Sequence, residues 1–185
     1  MKNVMIDNET LAVTADAVIM SIGAVEFDLD GSLGDKFYRS ISIDSNLALG
    51  RCINESTLLW WLQQSPEAQQ VFHEAKVELT SALQDLASWF PANLDAHGNN
   101  TTLVWSNGAS FDIPMLEHAY KQCGMESPWE FYNSRCVRTY RDLPGAKNIQ
   151  RPAAKITHNA LDDAIAQALY VQAIHAEVFG VKEIA

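Results

Sequence analysis

Strand-like and helix-like hydrophobic patterns follow each other along this chain in an order that limits the folds open to it. The first 45 residues contain three segments rich in β-branched and aromatic residues, which predict strands at 4–6, 17–27 and 37–43. From Asn54 onward apolar residues recur at helical spacing, interrupted by a β-branched run at 101–105 that predicts a buried fourth strand. Strands, helices, another strand and further helices predict an α/β domain with a mixed central β-sheet flanked by α-helices.

Capping and breaking residues set the expected limits of the helices. The first should begin near Asn54 with Ser56 or Thr57 as its N-cap, and the second at Ser65-Pro66. Residues 125–157 are interrupted by prolines and a glycine and should form loops and short helices. The remaining helices are expected at 77–90, 113–122 and 160–179, ended by Pro91, Gly124 and Gly180.

The length of 185 residues predicts a single domain spanning 1–185, because a chain of this size can bury one full core. No apolar run is long enough for a membrane span, and the N-terminus does not resemble a signal peptide, so we expect a cytoplasmic protein. Three widely spaced cysteines favour reduced thiols. The net charge of −10 argues against a broad basic nucleic-acid-binding face, but not against an enzyme that holds one chain end.

The first of three acidic segments is Asp7-Asn8-Glu9 at the end of the first predicted strand. The strand period of two places Asp7 and Glu9 on the same face, where two buried carboxylates would repel each other. A hard divalent cation would relieve that repulsion. The alternative is a strand end whose acidic side chains are simply solvated.

The second and third segments place acidic residues where helices begin. Asp112 follows a glycine turn and lies at or near the N-cap of the next predicted helix. Helix capping alone would be enough to explain an aspartate at this position. Asp162 and Asp163 lie in the first turn of the last helix, after His158 and the expected N-cap Asn159. Acidic residues are favoured there by the helix dipole, and the helical pattern does not choose between the two.

In this order, the three segments resemble the motifs of the DEDDh branch of the DnaQ-like 3′-5′ exonucleases, which have a ribonuclease H-like fold. The family's acid-x-Glu motif is matched by Asp7 and Glu9. Its asparagine–glycine and aromatic–aspartate motif is matched by Asn107, Gly108, Phe111 and Asp112, and its histidine five residues before an aspartate by His158 and Asp163. The chain resembles in particular small phage and bacterial members of the Rv2179c-like exoribonuclease group, through the Trp60-Trp61 pair.

The resemblance implies a two-metal-ion mechanism of phosphodiester hydrolysis. Asp7, Glu9, Asp112 and Asp163 would hold two Mg²⁺ or Mn²⁺ ions about 4 Å apart, with Asp7 between them. His158 would be the general base. The expected substrate contacts are Thr10, Leu11, Asn107, Phe111, Trp60 and Trp61, and adjacent helical residues diverge enough for one tryptophan to be core and the other to stack on a base.

The expected function is therefore a metal-dependent 3′-5′ exonuclease that releases nucleoside monophosphates from single-stranded 3′ ends, with DNA slightly favoured. An exoribonuclease, a ribonuclease H-like endonuclease and a non-catalytic nucleic-acid-binding module are the alternatives. A homodimer is plausible by analogy, with exposed Trp129, Phe131 and Tyr132 as its interface. Basic residues that could contact backbone phosphate are Arg135, Arg138, Arg141, Lys147, Arg151 and Lys155.

Overall fold

A five-stranded mixed β-sheet forms the centre of the protein, as seen in a computed structural model that describes residues 2–180. The order across the sheet is β3-β2-β1-β4-β5. β1 runs antiparallel to β2 and parallel to β4, β2 pairs antiparallel with β3, and β4 pairs parallel with β5. The strands are β1 Asn3–Thr10, β2 Ile19–Phe27, β3 Leu33–Ser40, β4 Leu103–Ser106 and β5 Ser134–Cys136.

Helices flank the sheet, which confirms the predicted fold class. Within residues 2–180, none of them is long and apolar enough to cross a lipid bilayer. The α-helices are α1 Ile43–Ala48, α2 Glu55–Trp61, α3 Pro66–Gln69, α4 Leu79–Trp89, α5 Asp112–Gln122, α6 Val137–Arg141 and α7 Ala160–Phe179, and short 3₁₀ turns occupy Gln70–Phe72, Phe131–Asn133 and Ala146–Asn148.

Different helices cover the two faces of the sheet. Successive side chains of β1 point to opposite faces, so they pack against different helices. Val4 and Ile6 pack into one core cluster with residues of α4 and α5. Met5 packs into a second cluster on the other face, with residues of α7. The same alternation carries Asp7 and Glu9 to the α7 face and Asn8 to the α5 face.

Several predicted element limits are wrong, each for a local reason. Ile43, predicted as the end of the third strand, begins α1 because the Ser42 side chain accepts a hydrogen bond from the Ser45 amide and caps a helix there. Asn54, not Ser56 or Thr57, is the N-cap of α2, since its side chain accepts from the Ser56 amide. Strand β5 was not expected, because it has only three residues and lies in the segment predicted to be irregular.

The expectation that Trp129 is exposed is also wrong. Its side chain is only 3% exposed, packs against Phe90 and Tyr120, and donates a hydrogen bond from Nε1 to Glu117 at 3.1 Å. Phe131 and Tyr132 are exposed as expected. The predicted domain 1–185 includes residues 1 and 181–185, which lie outside the described part of the chain.

Gly23 allows the start of α7 to lie directly on the sheet. It pairs with Asp7 across β1 and β2, and a Cβ atom at this position would overlap the backbone of Ala160 and Leu161. Backbone atoms cannot move aside as a flexible side chain can. The close approach therefore fixes the distance between the first turn of α7 and the acidic end of β1.

We predict that Gly23→Ala will lower the free energy of unfolding by about 1–3 kcal/mol, the usual cost of overpacking. Urea denaturation of the variant and the wild type measures this difference. Gly108→Ala is the control, because its Cβ would meet only the flexible guanidinium end of Arg138, at 3.3 Å. Equal stability of the Gly23 variant and the wild type would show that α7 does not need this close contact.

Candidate active site

Four carboxylates from three parts of the chain meet in one open cleft of about 660 Å³. Asp7 and Glu9 lie near the end of β1, Asp112 is the first residue of α5, and Asp163 lies in the first turn of α7. The parallel strands β1 and β4 bring the first two segments to the same edge of the sheet. His158 lines the same cleft.

The environment of these carboxylates disfavours their charged forms. Burial raises the pKa of Asp7 well above its ordinary value, and Asp112, Glu9 and Asp163 raise it further by charge repulsion. Burial, followed by repulsion from Asp163 and Asp112, raises the pKa of Glu9 to about 8. Like charges held together away from water need a cation to remain ionised.

Asn8 of β1 holds Asp112 in place through two hydrogen bonds. The Asn8 backbone amide donates to Asp112 Oδ1 at 3.2 Å, and the Asn8 side chain donates to the Asp112 carbonyl oxygen at 3.0 Å. Burial raises the pKa of Asp112 to about 7, although the Asn8 hydrogen bond and Arg138 lower it. The N-cap of α5 is Phe111, so Asp112 lies one residue inside the helix and its side chain is not the cap.

Asp163 and Asp162, which the helical pattern could not separate, have different environments. Asp163 lines the cleft, and its Oδ2 accepts a hydrogen bond from the His158 backbone amide at 2.7 Å. Burial raises the pKa of this carboxyl group. Asp162 instead accepts a hydrogen bond from the Ile156 amide at 3.1 Å and therefore braces the preceding loop.

His158 lies just before Asn159, the N-cap of α7, in an uncommon backbone conformation. Its φ of 64° falls in the left-handed region, which residues other than glycine rarely adopt. The imidazole packs edge-on against Trp60, with ring centroids 4.8 Å apart. Potential ligand atoms of Glu9, His158 and Asp163 all lie within 4.8 Å of one another, so the imidazole reaches the carboxylates.

The predicted substrate contacts divide into two groups. Asn107 and Phe111 line the cleft, and Trp60 is 41% exposed beside His158. The side chains of Thr10, Leu11 and Trp61 are buried and do not line it. The Trp61 indole donates to the Thr10 carbonyl oxygen at 2.9 Å, so this tryptophan belongs to the core and Trp60 is the accessible member of the pair.

Two of the six basic residues singled out in the sequence, Arg138 and Arg151, line the cleft. Lys155 lines an adjoining groove of about 390 Å³ that shares Thr157 and His158 with the cleft. The other three, Arg135, Arg141 and Lys147, line neither. Positive charge near the carboxylates is therefore confined to a few side chains, in keeping with an acidic protein.

The carboxylate cluster fits a hard divalent cation. Its four members offer only oxygen ligands, which Mg²⁺ and Mn²⁺ prefer. None of the ion pairs found within residues 2–180 includes Asp7, Glu9, Asp112 or Asp163. The chain therefore gathers negative charge at this point without neutralising it by a direct ion pair.

Sequence reasoning missed two polar residues that hold the cluster. Asn8 lies between the two acidic residues of β1 and faces the other side of the sheet, where it binds Asp112. Gln167 lies one helical turn after Asp163, and its Nε2 donates to Asp7 Oδ1 at 2.7 Å. The sequence does indicate Gln167, because it is a polar residue four positions after Asp163 and so lies on the same face of an otherwise apolar helix.

Comparison with known sequences identifies relatives. Residues 2–175 match the family model of the 3′-5′ exoribonuclease Rv2179c-like domain. The exodeoxyribonuclease of Enterobacteria phage T4 is 27% identical over 158 residues, which cover 73% of this chain and 68% of the phage protein. The sequence similarity therefore extends over most of the chain, including all three acidic segments.

Comparison with solved structures shows the fold. E. coli exonuclease I in complex with a dT13 oligonucleotide matches with a TM-score of 0.70 and 12% identity, over 95% of this chain and 41% of that one. Exonuclease I from Methylocaldum szegediense gives a TM-score of 0.67 and 14% identity, over 96% of this chain and 41% of that one. This chain thus spans about two fifths of those proteins. The chain belongs to the 3′-5′ exoribonuclease Rv2179c-like domain family, a 3′-5′ exonuclease family with the DnaQ-like, ribonuclease H-like fold.

Proposed function

We propose that this chain is a divalent-cation-dependent 3′-5′ exonuclease that removes nucleoside monophosphates from the 3′ end of a single-stranded nucleic acid. The convergence of Asp7, Glu9, Asp112 and Asp163 beside His158 in one cleft carries this proposal. Membership of a 3′-5′ exonuclease family supports it. A binding module on the same fold would gain nothing from four carboxylates that repel one another.

The four carboxylates would hold two Mg²⁺ or Mn²⁺ ions. When bound, such ions lower the pKa of a water molecule and neutralise charge on the phosphate and the leaving oxygen. The zinc-bound form of the E. coli exonuclease I complex with single-stranded DNA supports a divalent cation in a protein of this fold. The four carboxylates offer only oxygen ligands, which favours magnesium or manganese.

His158 would act as the general base that takes the proton of the attacking water. A neutral imidazole nitrogen can accept a proton from water and suits this role. The His158 backbone amide is bound to Asp163 and the ring is packed on Trp60, so the side chain is held next to the carboxylates. Arg138 and Arg151 line the same cleft and would contact the phosphate backbone of the substrate.

The accessible aromatic residues support a single-stranded substrate. Phe111 lines the cleft and Trp60 is exposed at its side, so both are available to stack on unpaired bases. An acidic protein with few basic side chains in its cleft cannot bind many phosphates of a duplex. DNA remains the leading substrate because the phage relative is an exodeoxyribonuclease, and the name of the matched family supports RNA as the alternative.

We predict that linear single-stranded oligonucleotides will be shortened from the 3′ end with release of mononucleotides, whereas circular single strands will stay intact. The reason is that an exonuclease needs a free end. DNA and RNA oligonucleotides labelled at either end, incubated with and without Mn²⁺, measure direction and sugar preference.

Asp112→Asn is the control for that experiment, because it removes one proposed cation ligand and should abolish turnover. Cutting of the circle would contradict the exonuclease proposal and favour an endonuclease. Binding of oligonucleotides without any turnover in Mn²⁺ would favour a non-catalytic module.

We predict that His158→Ala will lower kcat by roughly 10² to 10⁴, the usual range for loss of a general base. His97→Ala is the control, because His97 is exposed and does not line the cleft, so this variant should retain wild-type kinetics. Steady-state kinetics on a linear oligonucleotide in Mn²⁺ would measure this loss. Wild-type turnover in the His158 variant would exclude the base assignment.

A further inference from the structure

Gln167 is a polar side chain in a place where the packing calls for an apolar one. It lies on the buried side of α7, where Ala164, Ala168 and Val171 pack against the sheet, and it is only 1% exposed. Burying an amide in such surroundings costs free energy unless hydrogen bonds replace those made with water. Packing alone therefore does not explain why a glutamine occupies this position.

One half of the Gln167 amide has a partner in the carboxylate cluster. Its Nε2 donates to Asp7 Oδ1 at 2.7 Å. A carboxylate that a bound cation keeps ionised can only accept hydrogen bonds, so the amide group then turns its nitrogen toward Asp7 and its oxygen away. Gln167 also lines the cleft, one helical turn from Asp163.

The other half of the amide has no partner. Gln167 Oε1 is buried and accepts no hydrogen bond from any residue that the structure describes. Gln172 on the same helix differs, because its Nε2 donates to the carbonyl oxygens of Asp28 and Ser32 at 2.8 and 2.7 Å and the residue does not line the cleft. A buried acceptor that borders a cleft and lacks a donor is suited to a donor that arrives with a ligand.

We propose that Gln167 is a positioning residue of the cation site, whose Nε2 orients Asp7 and whose Oε1 accepts a hydrogen bond from a water molecule that the bound cation carries. This inference rests on the proposed function, since it assumes that the carboxylates hold a cation. Hydrogen bonds to metal-ligating carboxylates fix their orientation, and their loss typically weakens metal binding 10- to 100-fold.

The test is Gln167→Met, which keeps the length and apolar bulk of the side chain and removes both hydrogen-bonding atoms. We expect Mn²⁺ affinity, measured by calorimetry without nucleic acid, to fall about 10- to 100-fold. We also expect little change in the melting temperature in EDTA, because removal of the unpartnered Oε1 offsets the loss of the hydrogen bond from Nε2 to Asp7. Gln172→Met is the matched control and should show the reverse, a lower melting temperature with unchanged Mn²⁺ affinity.

Equal Mn²⁺ affinity of the wild type and Gln167→Met would overturn this inference and leave the proposed function intact. A wild type that binds no Mn²⁺ would overturn the cation site and this inference with it. If Gln167→Met does not fold, Gln167→Asn serves as the second variant. It keeps the amide but is too short to reach Asp7, so it should show the same loss of Mn²⁺ affinity.

Discussion

Four carboxylates that repel one another lie together at one edge of the sheet, and the residues around them are arranged to hold them there. Burial and mutual repulsion raise the pKa of Glu9 to about 8, and burial raises that of Asp112 to about 7. A chain selected for stability alone would place apolar or oppositely charged side chains there. Retaining this cluster is reasonable only if a divalent cation completes it, and phosphodiester hydrolysis is the chemistry such a cation supports.

The surrounding structure orients the carboxylates without neutralising them. Uncharged N–H groups hold three of the four: Asn8 donates to Asp112, Gln167 to Asp7, and the His158 backbone amide to Asp163. A lysine or arginine in direct ion pairing would compete with the cation, whereas a neutral donor leaves the negative charge available. Gly23 completes the arrangement, because only a residue without a side chain allows α7 to come this close to β2, next to Asp7 on β1.

Strong local patterns made much of the fold and site predictable. The final helix was expected at 160–179 and occupies Ala160–Phe179, because its capping asparagine and terminal glycine are both explicit in the sequence. Local patterns do not show which side chains meet across the fold. They could not show that Trp60 is accessible while Trp61 is buried, or that Trp129 is buried. They also could not predict the hydrogen bond from Gln167 to Asp7, which lie 160 residues apart in the sequence. Strand β5 escaped prediction because its three residues are stabilised by pairing with β4, a long-range interaction.

The pH dependence of unfolding, in EDTA and in saturating Mg²⁺, tests most directly whether the carboxylates form a cation site. The Glu9 pKa is about 8 in the folded chain against an ordinary 4.5, so between these values the folded state keeps a proton that the unfolded state releases. Stability in EDTA should therefore fall as pH rises from 5.5 to 8, by at most about 1.4 kcal/mol per pH unit for each such group. Mg²⁺ should restore stability most strongly at pH 8, where its binding displaces the retained protons. Stability that does not fall with pH in EDTA and does not respond to Mg²⁺ would contradict the cation site.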